Sequence, residues 1–298
     1  MVFDETRLAI VRRAFARQML AIAGVEGDIR LENAFAAVSR ERFVGPPPWT
    51  MSRGGAGYRG LASTDPTILY QDILVALSPE RGVNNGSPSL HAYWLHAARL
   101  REGESVAHIG CGTGYYTALI AELVGEGGQV LAVEFDAALA SPAAENLADR
   151  PQVEVVCGDG AARPLEPVDC IYVNFSVERP AAAWLARLKP GGRLIFPLGV
   201  PNARRSGPRD GRHALHGLGL MVERVEAGFA ARSLGGAFFV CAEGELAAGK
   251  DERAALMAAF EGGGSEFIRS LRWREPPSPG RSWFIGSGWS LSYDEPGA

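Results

Sequence analysis

Three glycines at alternate positions, and a carboxylate 20 residues downstream, are the residues whose spacing best fits ligand chemistry. Gly110, Gly112 and Gly114 follow the apolar run Val106 to Ile109, and Glu134 closes the next apolar run. Glycine lets a backbone approach a nucleoside-bearing ligand because no Cβ stands in the way. A carboxylate at the end of the next strand can accept hydrogen bonds from both hydroxyls of a ribose. These residues therefore predict a site for a ribose-bearing cofactor.

The glycine spacing separates the cofactor classes. A dinucleotide fingerprint reads G-x-G-x-x-G, but here Tyr115 lies where its third glycine would fall, and no Walker lysine follows. The observed G-x-G-x-G resembles motif I of the Rossmann-like methyltransferases, which bind S-adenosyl-L-methionine. An ordinary strand-to-helix turn stays open as the alternative, since the chain has 37 glycines. The resemblance implies these cofactor-binding residues in and beside the turn: His108, Gly110, Cys111, Gly112, Thr113, Gly114 and Tyr115.

Three further segments match that class of methyltransferase in the same order. Gly158-Asp159-Gly160 follows the apolar run Val153 to Val156, and the resemblance implies that the Asp159 carboxylate meets the adenine amino group, with Gly160 beside it. Val168 to Val173 reads as a fourth strand. Leu188 to Phe196 resembles the L-K-P-G-G-R-L signature that feeds a fifth strand.

The elements between these motifs predict the fold class. Helical patterns at Thr113–Val124, Ala137–Ala148 and Glu178–Arg187 alternate with the strands, which indicates an α/β fold with a mostly parallel sheet. A Rossmann-like methyltransferase fold would hold seven strands, the C-terminal one antiparallel. We expect Gly219–Val225 and Gly235–Cys241 to form that antiparallel pair. Ligands of such sheets bind at the carboxyl ends of the strands.

Flanking segments extend this core at both ends. Apolar residues at helical spacing predict helices at Thr6–Ala23 and Leu31–Val38, and a further helix at Asp251–Phe260. The tail also holds Trp273, Trp283 and Trp289, which we interpret as packing residues. We predict an N-terminal helical and loop region at 1–100, a methyltransferase core at 101–245 and a C-terminal extension at 246–298.

Composition excludes several classes of function. Of the 298 residues 47% are hydrophobic, which suffices for a buried core, and a net charge of −4 gives no footprint for nucleic acid. The four cysteines lack C-x-x-C spacing, so no zinc site is indicated and a reducing cytoplasm is expected. The N-terminus does not read as a signal peptide, and no apolar run is long enough for a membrane span.

The segments ahead of the glycine turn point to one family. Ala34 to Val44, then Tyr70-Gln-Asp72, then Gly82 to Pro88, resemble the protein-L-isoaspartate (D-aspartate) O-methyltransferases. Together with the glycine turn and the later motifs, the resemblance covers roughly residues 30 to 245. It implies S-adenosyl-L-methionine as cofactor and a carboxylate on a protein, peptide or small molecule as methyl acceptor.

The chain departs from that family where the family pattern would say most about substrate. Aligned on Pro88, the family's threonine-isoleucine-serine falls on Asn84, Asn85 and Gly86, so the serine important for methyl transfer is glycine here. Ser87, one position along, and Asn85 are the candidate catalytic residues that remain. His108 is a second departure, because Glu or Asp is usual there; it could contact the amino-acid end of the ligand through water or cap the strand.

Methyl transfer to a carboxylate acceptor requires no general base. Methyl transfer from a sulfonium is an in-line displacement that depends on positioning, and a carboxylate with a pKa of about 4 is already ionised at neutral pH. A phenol or amine acceptor would need a base, for which His91 is the candidate. The alternatives are a methyltransferase for a dedicated small molecule or peptide, a catalytically silent cofactor-binding homologue and, less compatible with Tyr115, a nicotinamide oxidoreductase.

Overall fold

The computed structural model describes residues 4–52, 57–201, 213–242 and 244–297. The chain divides into two compact units, residues 1–158 and residues 159–298. The boundaries predicted from the sequence, at residues 100 and 245, stay predictions. Among the described residues, no helix combines the length and the apolar character that crossing a membrane would require.

The described part of the first unit contains five α-helices and seven β-strands. Its helices are α1 (Glu5–Ala23), α2 (Ile29–Ala37), α3 (Pro88–Ala98), α4 (Tyr115–Val124) and α5 (Ala137–Asn146). Its strands are β1 (Thr50–Ser52), β2 (Tyr58–Gly60), β3 (Ala76–Ser78), β4 (Val83–Asn84), β5 (Ser105–Ile109), β6 (Gln129–Glu134) and β7 (Val153–Cys157). The pairs β1/β2 and β3/β4 are short antiparallel ribbons.

The centre of the first unit is a parallel βαβαβ arrangement. β5 pairs with β6 and β6 pairs with β7, with Val106 opposite Val130 and Val133 opposite Val156. Nine of the ten residues of α4 are buried, as expected for a helix that is apolar on every side. These elements confirm the alternation of strands and helices, and with it the α/β class, predicted from the sequence.

The N-terminal helices also form as predicted. α1 begins where the Asp4 carboxylate accepts a hydrogen bond from the Thr6 amide at 3.0 Å, and it ends at Gly24, which adopts a left-handed backbone with φ of 67°. Phe15 and Met19 are buried on the inner face of α1, and Phe15 contacts Phe35 of α2 edge to face at 6.1 Å. This ring contact packs α1 and α2 against each other through apolar side chains.

The described part of the second unit contains two α-helices and seven β-strands. The helices are α6 (Ala182–Ala186) and α7 (Lys250–Gly262). The strands are β8 (Val168–Val173), β9 (Leu188–Pro201), β10 (Ala214–Val225), β11 (Gly228–Gly236), β12 (Ser270–Trp273), β13 (Ser282–Gly286) and β14 (Trp289–Ser292).

Strand pairing in the second unit is mixed. β8 and β9 are parallel and β9 and β10 are antiparallel, so the predicted change from parallel to antiparallel pairing is found. The single antiparallel C-terminal strand that was expected is wrong, because several antiparallel strands follow β9. β11, β12, β14 and β13 then continue the antiparallel part in that order. The three strands of the tail were not predicted, because β12 and β14 alternate apolar and polar residues over only four positions each, too few to stand out in the sequence.

Two predicted elements of this unit have different bounds in the structure. The second strand of the antiparallel pair starts at Gly228 and not at Gly235, because Glu226 and Ala227 form a tight turn directly after β10. The helix expected at Glu178–Arg187 shortens to α6. Val177 forms a bridge with Leu198 at that point, and Pro180 follows, so the chain stays extended before it turns into the helix.

The C-terminal tail packs on the second unit through buried side chains. Trp283 and Trp289 are buried, and the Trp289 indole donates a hydrogen bond to the Glu252 carboxylate on α7 at 2.8 Å. Glu178 is only 3% exposed, and both its oxygens lie 2.9 Å from Nε of Arg253 on α7. An ionised carboxylate buried this far needs its partner, because removal from water costs several kcal/mol per ion.

We predict that Arg253→Met destabilises the protein by about 2 to 4 kcal/mol, since it leaves the Glu178 charge buried with one backbone donor. The matched control is Arg281→Met, which removes the more exposed ion pair between Arg281 and Asp294 and should cost far less stability, because water screens exposed charges. Urea denaturation measures both. Equal losses for the two variants would contradict the buried role of Glu178.

Candidate functional site

Glu134 and the glycine turn form one hydrogen-bonded structure in the first unit. The Gly112 amide donates to Glu134 Oε2 at 2.8 Å, and the Asp136 amide donates to Glu134 Oε1 at 3.0 Å. The carboxylate is 9% exposed, and burial raises its pKa, against these two backbone donors, which lower it. Each oxygen keeps acceptor capacity for a further donor, since a carboxylate has about four lone-pair sites.

The turn itself requires glycine at all three positions. Gly110, Gly112 and Gly114 have φ of 77°, 57° and 99°, in the left-handed region that L-residues rarely adopt. Gly114 is also crowded, because a Cβ there would lie 2.7 Å from Cδ1 of Leu147. The predicted glycines therefore adopt the close backbone geometry that a nucleoside site needs.

Thr113 is held by its neighbours at the start of α4. Its hydroxyl donates to the Phe43 carbonyl, and its own carbonyl accepts a hydrogen bond from the Asn146 amide at 3.0 Å. These bonds tie the turn to the Arg40–Phe43 segment and to α5. The hydroxyl of Thr113 is thus engaged within the protein.

Cys111 and Tyr115 face the interior of the unit. Both are buried, and burial raises the pKa of each. Tyr115 packs edge to face on Phe43 at 5.7 Å. Their side chains therefore pack in the core and support the turn. Their assignment to the cofactor stays a prediction.

His108 lies in the middle of the core. Its side chain is fully buried in β5, and its Nδ1 lies 2.8 Å from Oγ1 of Thr117 on α4. Burial lowers the pKa of His108 to about 3, so the imidazole is neutral at pH 7. This contact joins the strand to the helix that follows the glycine turn. A water-mediated contact to a ligand stays a prediction without support from this packing.

Phe135 is a candidate contact that sequence reasoning missed. It follows Glu134 directly, and 77% of its surface is exposed. An exposed aromatic ring beside a ribose-binding carboxylate offers a face on which a purine can stack. The sequence alone could have indicated this contact, because Phe135 directly follows the acidic residue that ends a predicted strand, where the chain leaves the core.

Ser87 and Asn85 lie in the loop ahead of α3. Ser87 caps α3: its hydroxyl accepts a bond from the Leu90 amide at 3.4 Å and donates to Asp72 at 2.9 Å. Asn85 is buried, and its Oδ1 accepts from the Val75 amide at 2.9 Å while its Nδ2 has no hydrogen-bond partner. The two candidates thus differ, because the Ser87 hydroxyl is engaged and the Asn85 donor is free.

The loop that carries these residues is organised by Arg40, which sequence reasoning also missed as a functional residue. Its side chain is fully buried, and its guanidinium donates to the carbonyls of Leu69, Gln71 and Ile73. A further bond of 3.4 Å reaches Oδ1 of Asn85. Burial lowers the pKa of Arg40. The sequence could have pointed to Arg40, because this arginine lies within the Ala34–Val44 segment that resembles the family.

Gly86, where the family has serine, is blocked by its surroundings. Its φ is 77°, and a Cβ there would lie 2.5 Å from Nε2 of His91. His91 is buried and stacks on Tyr116 with ring centroids 3.6 Å apart, and the Tyr116 hydroxyl donates to the Gly86 carbonyl at 3.3 Å. A side chain at Gly86 would therefore have to displace His91 from its place on Tyr116.

Asp159 and Gly160 belong to the second unit. The Asp159 Oδ1 accepts a hydrogen bond from the Ala161 amide at 2.9 Å and caps a short turn, Gly160–Ala162. The Gly160 carbonyl accepts from the indole of buried Trp184 at 2.9 Å. One oxygen of Asp159 is thus used locally, and its role toward adenine stays a prediction. No group of three or more metal-ligating side chains occurs within the residues that the structure describes.

We predict that Gly86→Ser lowers the free energy of unfolding by about 2 to 4 kcal/mol, from a left-handed backbone cost of about 1 to 2 kcal/mol plus overpacking against His91. The control is Gly103→Ser, where φ is 80° but no atom lies within 4 Å of the added Cβ, so only the backbone cost applies. Adding His91→Ala to Gly86→Ser should lessen the overpacking between these two sites. Equal losses for the Gly86 and Gly103 variants would contradict the clash.

The depressed pKa of His108 predicts a pH dependence of stability. Since the unfolded histidine has a pKa of about 6.5 and the folded one about 3, the unfolded state binds the extra proton between these values. Stability is therefore lost as pH falls through this window. From pH 7 to pH 5, wild type should lose about 2 kcal/mol more than His108→Gln. Urea denaturation at both pH values measures the difference, and parallel losses would show that His108 is not buried and neutral.

Comparison with known proteins places the chain in a family. The family model described as Protein-L-isoaspartate(D-aspartate) O-methyltransferase matches residues 59–207. A protein-L-isoaspartate O-methyltransferase of Aeropyrum pernix is 33% identical over 205 residues, which are 67% of this chain and 69% of the relative. With three further curated relatives, the match spans 46%, 63% and 62% of their length.

Two solved structures share the fold. A protein-L-isoaspartate O-methyltransferase aligns with a TM-score of 0.63 and 24% identity, over 88% of this chain and 72% of that one. A homologue from Plasmodium falciparum, in complex with S-adenosyl-L-homocysteine, aligns with a TM-score of 0.58 and 18% identity, over 78% of this chain and 98% of that one. With the glycine turn, Glu134 and the upstream loop in the expected order, the chain belongs to the protein-L-isoaspartate (D-aspartate) O-methyltransferase family.

Proposed function

We propose that this protein transfers the methyl group of S-adenosyl-L-methionine to a carboxylate, and that the acceptor is an isoaspartyl residue of a polypeptide. The observation that carries the proposal is the pairing of the Glu134 carboxylate with the Gly112 amide in a family member. That bond supports a carboxylate aimed at the turn where a ribose would lie. The homologue that holds S-adenosyl-L-homocysteine supports the choice of cofactor.

The cofactor would be held by backbone and side-chain contacts. Glu134 would accept hydrogen bonds from the ribose hydroxyls, Phe135 would stack on the purine, and the glycine turn would let the cofactor approach its backbone closely. Asp159 would select adenine by accepting a bond from its amino group. The bound cofactor supplies a methyl group on a sulfonium, from which the sulfur departs as a neutral thioether.

No general base is needed for a carboxylate acceptor. The acceptor is ionised at neutral pH because its pKa is about 4, so the protein has to align oxygen, methyl carbon and sulfur. His91 and His108 are fully buried, and burial keeps the pKa of each below its usual value. Neither imidazole is placed to titrate near neutrality, which favours a carboxylate over an acceptor that must lose a proton.

Asn85 is the stronger candidate for orienting the acceptor. Its Nδ2 is a hydrogen-bond donor without a partner in a buried position, and such a group is costly unless it serves a purpose. The Ser87 hydroxyl is already committed to Asp72.

The absence of the family serine at Gly86 favours a second candidate function over isoaspartyl methylation. The protein would then methylate a dedicated peptide or small-molecule carboxylate, or bind the cofactor without transferring its methyl group. We also propose a cytoplasmic location, because a reducing compartment fits the free thiols of Cys111, Cys157 and Cys241.

We predict that Glu134→Ala weakens S-adenosyl-L-methionine binding by about 1 to 3 kcal/mol, because the ribose hydroxyls lose a charged acceptor. Glu134→Gln keeps the shape of the side chain and should lose less. Glu145→Gln, an exposed change on α5, is the control and should leave affinity unchanged. Calorimetric titration reads out all three, and wild-type affinity in Glu134→Ala would remove the ribose assignment.

The acceptor is tested by incubating the protein with methyl-labelled S-adenosyl-L-methionine and an isoaspartyl peptide. The matched control is the same peptide with an ordinary aspartyl residue. We expect base-labile label on the isoaspartyl peptide alone, because a methyl ester hydrolyses in base. Cofactor binding with no transfer to either peptide would overturn isoaspartyl methylation and favour the second candidate function.

A further inference from the structure

The second unit contains a cavity of about 530 Å³ that the proposed methyl transfer does not use. Its lining comes from Ala161 and Ala162, from the segment around α6 with Arg179, from Glu245 and Leu246, and from the tail with Trp273 and Arg274. This volume lies within the range of small-molecule pockets, about 300 to 1,000 Å³. It is far larger than a single ion or water molecule needs.

The cavity carries two guanidinium groups against one carboxylate. Arg179 is half-buried, and its Nη2 reaches the Ser287 carbonyl at 3.5 Å, a distance that leaves most of its donors uncommitted. Arg274 is exposed, and its guanidinium carbon lies 5.9 Å from the centroid of the Trp273 ring. Glu245 is the acidic residue of the lining. The balance therefore favours an anionic ligand.

The backbone conformation of Arg274 is also restrained. Its φ is 57°, one of only two positive values among described residues other than glycine, and its amide donates to the Gly288 carbonyl at 2.7 Å. A left-handed backbone at arginine costs about 1 to 2 kcal/mol, so the surrounding structure must enforce it. Residues held in this way cluster where a side chain has to point in a required direction.

The part of the lining that carries Arg179 and Glu245 is held by the buried residue Glu178. The Glu178 amide donates to the Leu246 carbonyl at 3.0 Å, and the Glu178 carboxylate accepts from the Ala248 amide at 2.7 Å. Because Arg179 follows Glu178 directly, these bonds fix the backbone that carries the first guanidinium. They also fix the Glu245–Leu246 wall. The cavity is thus formed by restrained segments.

We propose that this cavity, which adjoins the turn capped by Asp159, binds a carboxylate attached to an apolar or aromatic group. Arginine binds the planar carboxylate through two parallel hydrogen bonds, which a point charge cannot offer. The ring of Trp273 provides the apolar surface for the group that bears the carboxylate. The carboxylate can come from an acidic side chain of a polypeptide or from a free small acid, and the test below separates these sources.

The test is calorimetric titration of the full chain with three probes: acetyl-Phe-Asp-Phe-amide, its neutral analogue acetyl-Phe-Asn-Phe-amide, and succinate. We expect the aspartyl peptide to bind at least tenfold more tightly than the asparaginyl peptide. Arg179→Gln and Arg274→Gln should each weaken the aspartyl peptide at least fivefold, and Glu245→Gln should tighten it. Arg269→Gln, an exposed arginine outside the cavity lining, should change it less than twofold.

The outcomes decide both the class and the source of the ligand. Binding of the peptide alone supports a polypeptide side chain, and comparable binding of succinate supports a free small acid. Equal affinity for the two peptides, no binding by wild type at millimolar probe, or unchanged affinity in both arginine variants would overturn the proposal. Inorganic phosphate binding as tightly as the aspartyl peptide would overturn the carboxylate assignment. Thermal melting of each variant establishes that it is folded.

Discussion

The bond between the Glu134 carboxylate and the Gly112 amide is the interaction on which the candidate site depends. It joins the end of β6 to the turn after β5, and the Asp136 amide holds the second oxygen, so the carboxylate cannot rotate away. A ribose-binding group has to be fixed before the ligand arrives, since ordering a free side chain costs affinity. The left-handed glycines make this approach possible, because L-residues rarely adopt the backbone angles of the turn.

The fold was largely predictable because its signals are local. Strands that end in glycine or an acidic residue, and helices with apolar residues at three and four spacing, were placed within a few residues, as α4 and β8 illustrate. The strands of the tail were not predictable from pattern. Their stability comes from tertiary burial of Trp283 and Trp289, which a linear sequence does not display.

The local structure of the candidate site was predictable at the glycine turn and less so in the loop ahead of α3. Glycine spacing and Glu134 report backbone geometry, which sequence encodes directly. The loop ahead of α3 depends on contacts between residues that are distant in sequence. Arg40 donates to the carbonyls of residues 69, 71 and 73, and His91 fills the space beside Gly86. The sequence shows only that a serine is absent, whereas the structure shows that His91 packs beside Gly86 and that the Asn85 amide is a buried donor without a partner.

The central claim, that the turn and Glu134 bind S-adenosyl-L-methionine, is tested most directly by a crystal structure of the protein with S-adenosyl-L-homocysteine. The account predicts both ribose hydroxyls within about 3.2 Å of the Glu134 oxygens. It also predicts that the Gly112 amide keeps its bond to Oε2. Ligand density with the ribose away from Glu134, or a Glu134 side chain turned from the turn on binding, would contradict the account.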